Sequence, residues 1–161
     1  MSYYDYYHSP HGRMLLVADD RALTGVYFAG QKYQPRIERD WVRDGRHAPI
    51  RQVKHELEEY FAGKRRRFTV KVAPRGTPFQ RAVWKAIAGV GFGRTIPYAE
   101  LARRAGRPGS ARAAGAATGR NPIGIIVPCH RIVGSNGALT GYAGGLAKKR
   151  ALLALEGRAQ L

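Results

Sequence analysis

The sequence predicts an α/β chain of the α+β kind in two parts. A small N-terminal sheet with one helix spans residues 1–74 and packs on a mostly helical C-terminal part, 75–161, that carries a helix-turn-helix. Three observations predict it. Short β-prone runs separated by turn compositions fill the first 30 residues. Apolar residues recur at helical spacing over 50–62 and 78–88. Two short helical stretches joined by a Gly-containing turn follow over 97–118. A hydrophobic content of 44% over 161 residues supports a buried core and argues against disorder.

Residues 3–8, 14–18 and 23–28 read as strands, separated by Ser9-Pro10-His11-Gly12 and by Asp19-Asp20-Arg21. Residues 30–48 are polar and irregular and read as a surface connection. Pro49 reads as a first-turn helical proline. Ile50, Val53, Leu57, Tyr60 and Phe61 then mark one face of a helix that Gly63 ends. Residues 68–72 read as a further strand, and the basic run 64–67 before it as a solvated turn. A boundary falls near 73–76. There Thr77-Pro78-Phe79-Gln80 combines an N-cap, a proline at the first helical position and a capping-box glutamine. The helix it opens runs to Ala88, and a Gly-rich connection covers 89–93. Residues 97–105 and 111–118 form the tandem pair of helices, with Ser110 as N-cap of the second. The apolar run 123–127 reads as a buried strand, and 146–156 as a last helix anchored by Leu152, Leu153 and Leu155.

Charge sharpens the functional reading. The net charge is +17, with 14 basic and 9 acidic residues before position 75, against 14 basic and only 2 acidic from there on. A half so poor in carboxylates sets up a field suited to a polyanion, although charge alone does not choose among DNA, RNA and anionic lipid. No stretch approaches the roughly 18 apolar residues of a membrane span. The N-terminus lacks the pattern of a secretory signal, so a soluble cytoplasmic protein is expected. The single cysteine excludes an internal disulfide and a thiolate-rich metal site.

That cysteine carries the chemistry. The only Cys and only His of the second half are adjacent, as Pro128-Cys129-His130-Arg131 after the apolar run. A thiolate beside an imidazolium is a pairing that lowers a thiol pKa and makes a nucleophile. Adjacent residues on an extended strand point opposite ways, so His130 needs a bend or a bridging water to reach the sulfur. Glu156, in the last helix, is a candidate to orient the imidazole. Against this stands the reading of Cys129 as a small buried hydrophobe. The helix at 111–118 is built from small residues around one long side chain, Arg112. Such a surface either approaches the minor groove closely or packs tightly on a neighbouring helix.

The stretch Asn121-Pro122-Ile123-Gly124-Ile125-Ile126-Val127-Pro128-Cys129-His130-Arg131-Ile132-Val133-Gly134 closely resembles the active-site signature of the O6-alkylguanine-DNA alkyltransferases, also called methylated-DNA–protein-cysteine methyltransferases. The similarity runs from Thr77 through the tandem helices to the Thr140-Gly141-Tyr142-Ala143-Gly144-Gly145-Leu146 loop and the last helix. The first half matches in general pattern only. The resemblance implies a ribonuclease-H-like N-terminal domain and irreversible, single-turnover transfer of an alkyl group from O6-alkylguanine in duplex DNA to Cys129, after base flipping. It implies His130 as base through a water, Glu156 as its orienting group, and Asn121 as a tie within the active-site structure. Tyr98 would contact the extruded guanine and protonate it as it leaves. Arg112 would fill the gap in the duplex from the helix opened by Ser110 and Ala111. Tyr142 and Gly144 would wall the base pocket. No cofactor is implied, and the free protein is expected to be a monomer.

The sequence departs from the family pattern in places. No cysteine precedes Cys129, so the zinc that some relatives hold is not expected, and His8, His11, His47 and His55 read as surface or packing residues. Pro97 before Tyr98 and Ala143 after Tyr142 could reshape the pocket. Rival readings are a non-reactive sensor of alkylguanine, a helix-turn-helix regulator with an inert Cys129, and a Cys-His hydrolase. The first is disfavoured by the presence of Cys129, the second by the poverty of base-reading side chains. The third lacks an oxyanion-hole motif.

Overall fold

The first three strands form where the turn residues put them. β1 (Tyr3–Ser9), β2 (Gly12–Ala18) and β3 (Leu23–Phe28) make an antiparallel meander, and β4 (Val42–Arg43) pairs with β1 in parallel. The sheet order is β3-β2-β1-β4. The β1–β2 turn needs Gly12, whose φ of 111° disfavours any side chain. Every residue from Met14 to Ala18 is buried because β2 is covered on both faces. Met14 and Leu16 join the main core, whereas Leu15, Val17 and Tyr27 form a second cluster roofed by Tyr4, Tyr6 and Trp41. This computed structural model describes residues 1–157. Residues 158–161, the end of the expected second part, lie outside the described residues.

Helix α1 (Ala48–Phe61) buries Ile50, Val53, Leu57 and Tyr60, the face its spacing marks. In the second part α2 (Pro78–Ala88) begins with the complete capping box: Gln80 N donates to Thr77 Oγ1 and Thr77 N to Gln80 Oε1. The tandem pair is α3 (Tyr98–Arg104) and α4 (Ala111–Gly119). Before them β5 (Ile96–Pro97) pairs in parallel with β6 (Ile132–Val133), and α5 (Leu146–Leu155) closes the fold. One continuous core crosses both parts, joining Leu16, Val26 and Leu57 to Val83, Ile87, Ile123 and Leu152. Among the described residues no helix is long and apolar enough to cross a membrane.

Four local readings need correction. The expected strand at 68–72 is an isolated parallel bridge between Leu23 and Val72. The N–H groups of Thr69 and Val70 turn instead to the buried carboxylate of Glu56, at 2.9 and 3.2 Å. Residues 123–127 are not a strand either. Only Ile123 bridges, to Val26, and the chain then turns through Ile125 at a left-handed φ of 68°. The connection 30–48 contains β4. Ser110 sits at the N-cap of α4, but its side chain makes no cap bond; its carbonyl accepts from Ala114 N at 2.9 Å.

Candidate active site

The site starts from a turn. Asn121 is buried; its Nδ2 donates to the Val127 carbonyl at 2.8 Å, and its Oδ1 accepts from Ile123 N at 3.0 Å. It thus closes the loop whose middle residue carries the left-handed strain, a backbone state that costs a non-glycine residue about 1–3 kcal/mol. The N-terminal sheet grips the same loop: Val26 N donates to the Pro122 carbonyl and Gly124 N to the Val26 carbonyl. A short 3-10 turn, Cys129–Arg131, follows. It supplies the bend that an extended strand would have denied, so the adjacent Cys129 and His130 need not point to opposite faces.

Cys129 is 9% exposed and reaches one side of a cleft of about 770 Å³, within the size range of small-molecule sites. Tyr98 from α3, Tyr142 and Ala143 from the loop before α5, and Gly115 from α4 share its walls. The Tyr98 hydroxyl donates to the Thr140 carbonyl at 3.2 Å. A Cβ on Gly144 would fall 2.9 Å from the Tyr142 ring and 3.0 Å from Phe28, so only glycine lets this loop lie against β3. The first part contributes Tyr33, whose left-handed φ of 66° presents its ring beneath the Arg120 guanidinium at 3.8 Å on the cleft rim.

The two residues that follow Cys129 in the chain, His130 and Arg131, belong to a buried ionic cluster. His130 and Glu156 are both inaccessible at their side chains, and His130 Nε2 meets Glu156 Oε2 at 2.8 Å. Arg131 donates to both oxygens of that carboxylate, through Nε at 2.8 Å and Nη2 at 3.0 Å. Tyr60, from α1, donates its hydroxyl to Oε2 at 2.6 Å. Burial opposes ionisation of Glu156, but the bonds from His130, Arg131 and Tyr60 outweigh it and hold the carboxyl down at about 2.

The proton positions follow. An ionised carboxylate only accepts, so His130 Nε2 must carry hydrogen. Burial also pushes the His130 imidazole below its ordinary 6.5 despite Glu156, so at neutral pH Nδ1 is a bare lone pair. Among the described residues Nδ1 is the one buried side-chain nitrogen or oxygen without a hydrogen-bond partner. Burial raises the Cys129 thiol above its ordinary 9.0, only partly offset by Asn121 and Lys149. The thiolate–imidazolium pair expected from sequence is therefore replaced, at rest, by a neutral thiol and a neutral imidazole.

Lys149 carries no exposed surface, and its Nζ donates to the carbonyls of Ile132, Thr140 and Gly141 at 2.6, 2.8 and 3.2 Å. It pins the cleft loop, and burial draws its ammonium down to about 8. Reasoning from sequence missed Lys149, Arg131 and Tyr60. Lys149 had a signal: it lies three and four residues before Leu152 and Leu153 and seven before Glu156, on the buried face of α5. Arg112 and Ala113 face outward on α4 while Ala114, Ala117 and Thr118 pack inward, so the small residues serve both a smooth surface and close helix packing. Ser110 and Ala111, at the start of α4, are half-buried and line no part of the cleft. No group of three or more His, Cys, Asp or Glu able to hold a metal occurs among the described residues.

Comparison with known proteins agrees along the whole chain. Residues 2–74 match the family model described as 6-O-methylguanine DNA methyltransferase, ribonuclease-like domain, and residues 78–158 match its DNA binding domain. The methylated-DNA–protein-cysteine methyltransferase of Methanosarcina acetivorans is 46% identical over 155 residues, covering 96% of this chain and 98% of that protein. The one from Methanosarcina mazei is 47% identical over 154 residues, covering 94% and 96%. The crystal structure of Mycobacterium tuberculosis O6-methylguanine methyltransferase superposes with a TM-score of 0.88 at 42% identity, covering all of this chain and 95% of that one. A structure of Mycobacterium tuberculosis OGT in complex with DNA gives 0.88 at 41% identity, covering 98% and 94%. With both family domains matched in order and relatives above 40% identity over nearly its full length, this chain belongs to the methylated-DNA–protein-cysteine methyltransferase family.

Proposed function

We propose that this protein repairs DNA directly, moving the alkyl group of an O6-alkylguanine in duplex DNA onto Cys129 in one irreversible turnover. The observation that carries the reading is a cysteine on the wall of a cleft roomy enough to admit a nucleobase, backed by a buried His130 whose Nδ1 has a lone pair and no partner. Displacement at the alkyl carbon needs sulfur, carbon and O6 in line, a path closed inside stacked DNA, so the base must swing out into the cleft. The Sγ–C bond forms as the C–O6 bond breaks, and the electron pair leaves on guanine. A water between Cys129 and His130 Nδ1 takes the thiol proton to the imidazole, and Glu156 stabilises the imidazolium. Tyr98 exchanges its bond to Thr140 for one to the departing base and supplies the proton that guanine takes up. The thiol proton held on the imidazolium then returns through solvent to the Tyr98 phenolate, which closes the proton count. The thioether product has no leaving group that water could displace, so the protein is consumed.

Arg112, outward on α4, is read as the side chain that fills the vacated stack, with Ser110 and Ala111 at the DNA backbone beside it. Tyr142 and Gly144 wall the base pocket, and Asn121 holds the loop that presents Cys129. The partner is alkylated duplex DNA, bound by a cytoplasmic monomer without cofactor or metal. Incubation with a duplex carrying O6-methylguanine should add one methyl mass to the Cys129 peptide and leave plain guanine in the DNA. Tight binding with an unmodified Cys129 would replace this reading with that of a non-reactive sensor.

A further inference from the structure

We propose that Tyr60, a residue of the N-terminal part, is a positioning residue for the transfer reaction, fixing Glu156 and through it the His130 imidazole. The inference rests on the alkyl-transfer reading and extends it to a residue outside the active-site signature. Tyr60 stands in the last turn of α1, 1% exposed, with its ring wedged between Phe61, Phe68 and Phe92 at centroid distances of 5.3, 5.4 and 6.4 Å. An aromatic ring held on three sides has no freedom to redirect its hydroxyl, and that hydroxyl ends 2.6 Å from Glu156 Oε2. The same oxygen accepts His130 Nε2–H at 2.8 Å. Three donors converge on Oε2, since Arg131 Nη2 also reaches it at 3.0 Å while its Nε takes Oε1 at 2.8 Å.

This arrangement has two consequences. Geometrically, Tyr60 and Arg131 together brace the carboxylate with three hydrogen bonds, so the imidazole that hangs from Oε2 keeps Nδ1 in one place. Electronically, the phenol withdraws charge from the oxygen that must stabilise the imidazolium, and so tunes how basic Nδ1 becomes. A ring that merely fills space would do neither. The groups that set the charge around His130 are few. Glu156 at the C-terminal cap of α5 favours the imidazolium, Arg131 next in the chain and Lys149 on α5 oppose it, and Tyr60 reaches in from α1. The N-terminal part therefore enters the chemistry through one hydroxyl, at a sequence distance of 96 residues from its partner.

The test compares parental protein with Tyr60→Phe, which keeps the ring and deletes the hydroxyl. Single-turnover transfer from a methylated duplex is followed from pH 5 to 9, with DNA affinity measured alongside. Tyr60→Phe should bind DNA as the parent does and transfer about tenfold more slowly on the plateau, the scale expected when a reacting group loses its fixed orientation. Its acid limb should move up by about half a pH unit, because an unshared carboxylate makes His130 more basic. Replacing Tyr60 with 3-fluorotyrosine, a stronger donor of nearly the same shape, should move the limb the opposite way. An unchanged rate and profile in Tyr60→Phe overturns the proposal. If that variant does not fold, an unmoved limb in the fluorotyrosine protein overturns it instead. Failure of the parental protein to transfer at all counts against the alkyl-transfer reading and not against Tyr60.

Discussion

Cys129 and His130 are adjacent in the chain, yet the neutral state of both at rest comes from burial rather than from their pairing. Burial raises the thiol above 9.0 and lowers the imidazole below 6.5, so the two shifts move apart instead of crossing. A thiol whose folded pKa is raised stays protonated through neutral pH and yields thiolate only above its ordinary range. An imidazole whose pKa is lowered is a free base throughout the same interval. The transfer rate should therefore climb with pH through a limb below 6.5 and run flat to about 8, as a general base with a fixed proton load requires. The ultraviolet absorbance of thiolate should be missing at pH 7 in the free protein. A strong thiolate band at pH 7 would mean a standing ion pair, and the proton relay through Nδ1 would then have no task. Lys149 is the nearby cation that such a pair would lean on, and its three carbonyl bonds commit it to the cleft loop instead.

At the scale of elements, what the sequence made legible was whatever depends on local periodicity and capping. The three N-terminal strands, α1, α2 with its capping box, the tandem helices and α5 all stand within a few residues of expectation. The two misread strands share one cause, since each is decided by partners outside the segment itself. Residues 68–72 have β-prone composition, but Glu56 on α1 offers their N–H groups a carboxylate, and the strand never forms. Residues 123–127 are apolar because they are buried. Asn121 and the edge of β3 decide that they turn. Cys129, His130 and Glu156 were readable from residue types and motif, whereas Tyr60 looked like one more apolar position on α1. The Glu56 tie gives a prediction of its own. Glu56→Ala leaves the buried Val70 N–H, the part-buried Thr69 N–H and the Thr69 hydroxyl without their acceptor, and should cost about 2 kcal/mol of unfolding free energy. Denaturant titration should show the midpoint falling with an unchanged slope. A loss under about 0.5 kcal/mol would mean that water replaces the carboxylate freely and that the segment is not held by it.

For the molecule as a whole, the carboxylate-poor second half acquires direction once folded. Arg112 points outward from α4, Arg107 stacks over Phe79 at 4.5 Å, and Arg120 lies over Tyr33, with Phe79, Tyr33 and Arg120 all on the cleft that holds Cys129. Several other cations are already engaged. Arg103 and Arg104 pair with Glu100, Arg65 with Glu59, and Arg131 with Glu156. Arg107 and Arg120 thus put positive charge that no carboxylate pairs, among the described residues, on the rim of this cleft, and stacking on an aromatic ring holds both guanidinium groups in place at little cost in side-chain freedom. DNA affinity should then fall with salt along a log–log slope of about −3 or steeper, since each neutralised phosphate contributes about −0.9. Removing Arg107 and Arg120 together should flatten that slope by about 2 units, whereas Arg65→Ala should leave it unchanged because its charge is spent on Glu59. Equal slopes in the double variant and the parent would mean that DNA approaches another face, and the cleft would then be too far from the duplex to receive its base.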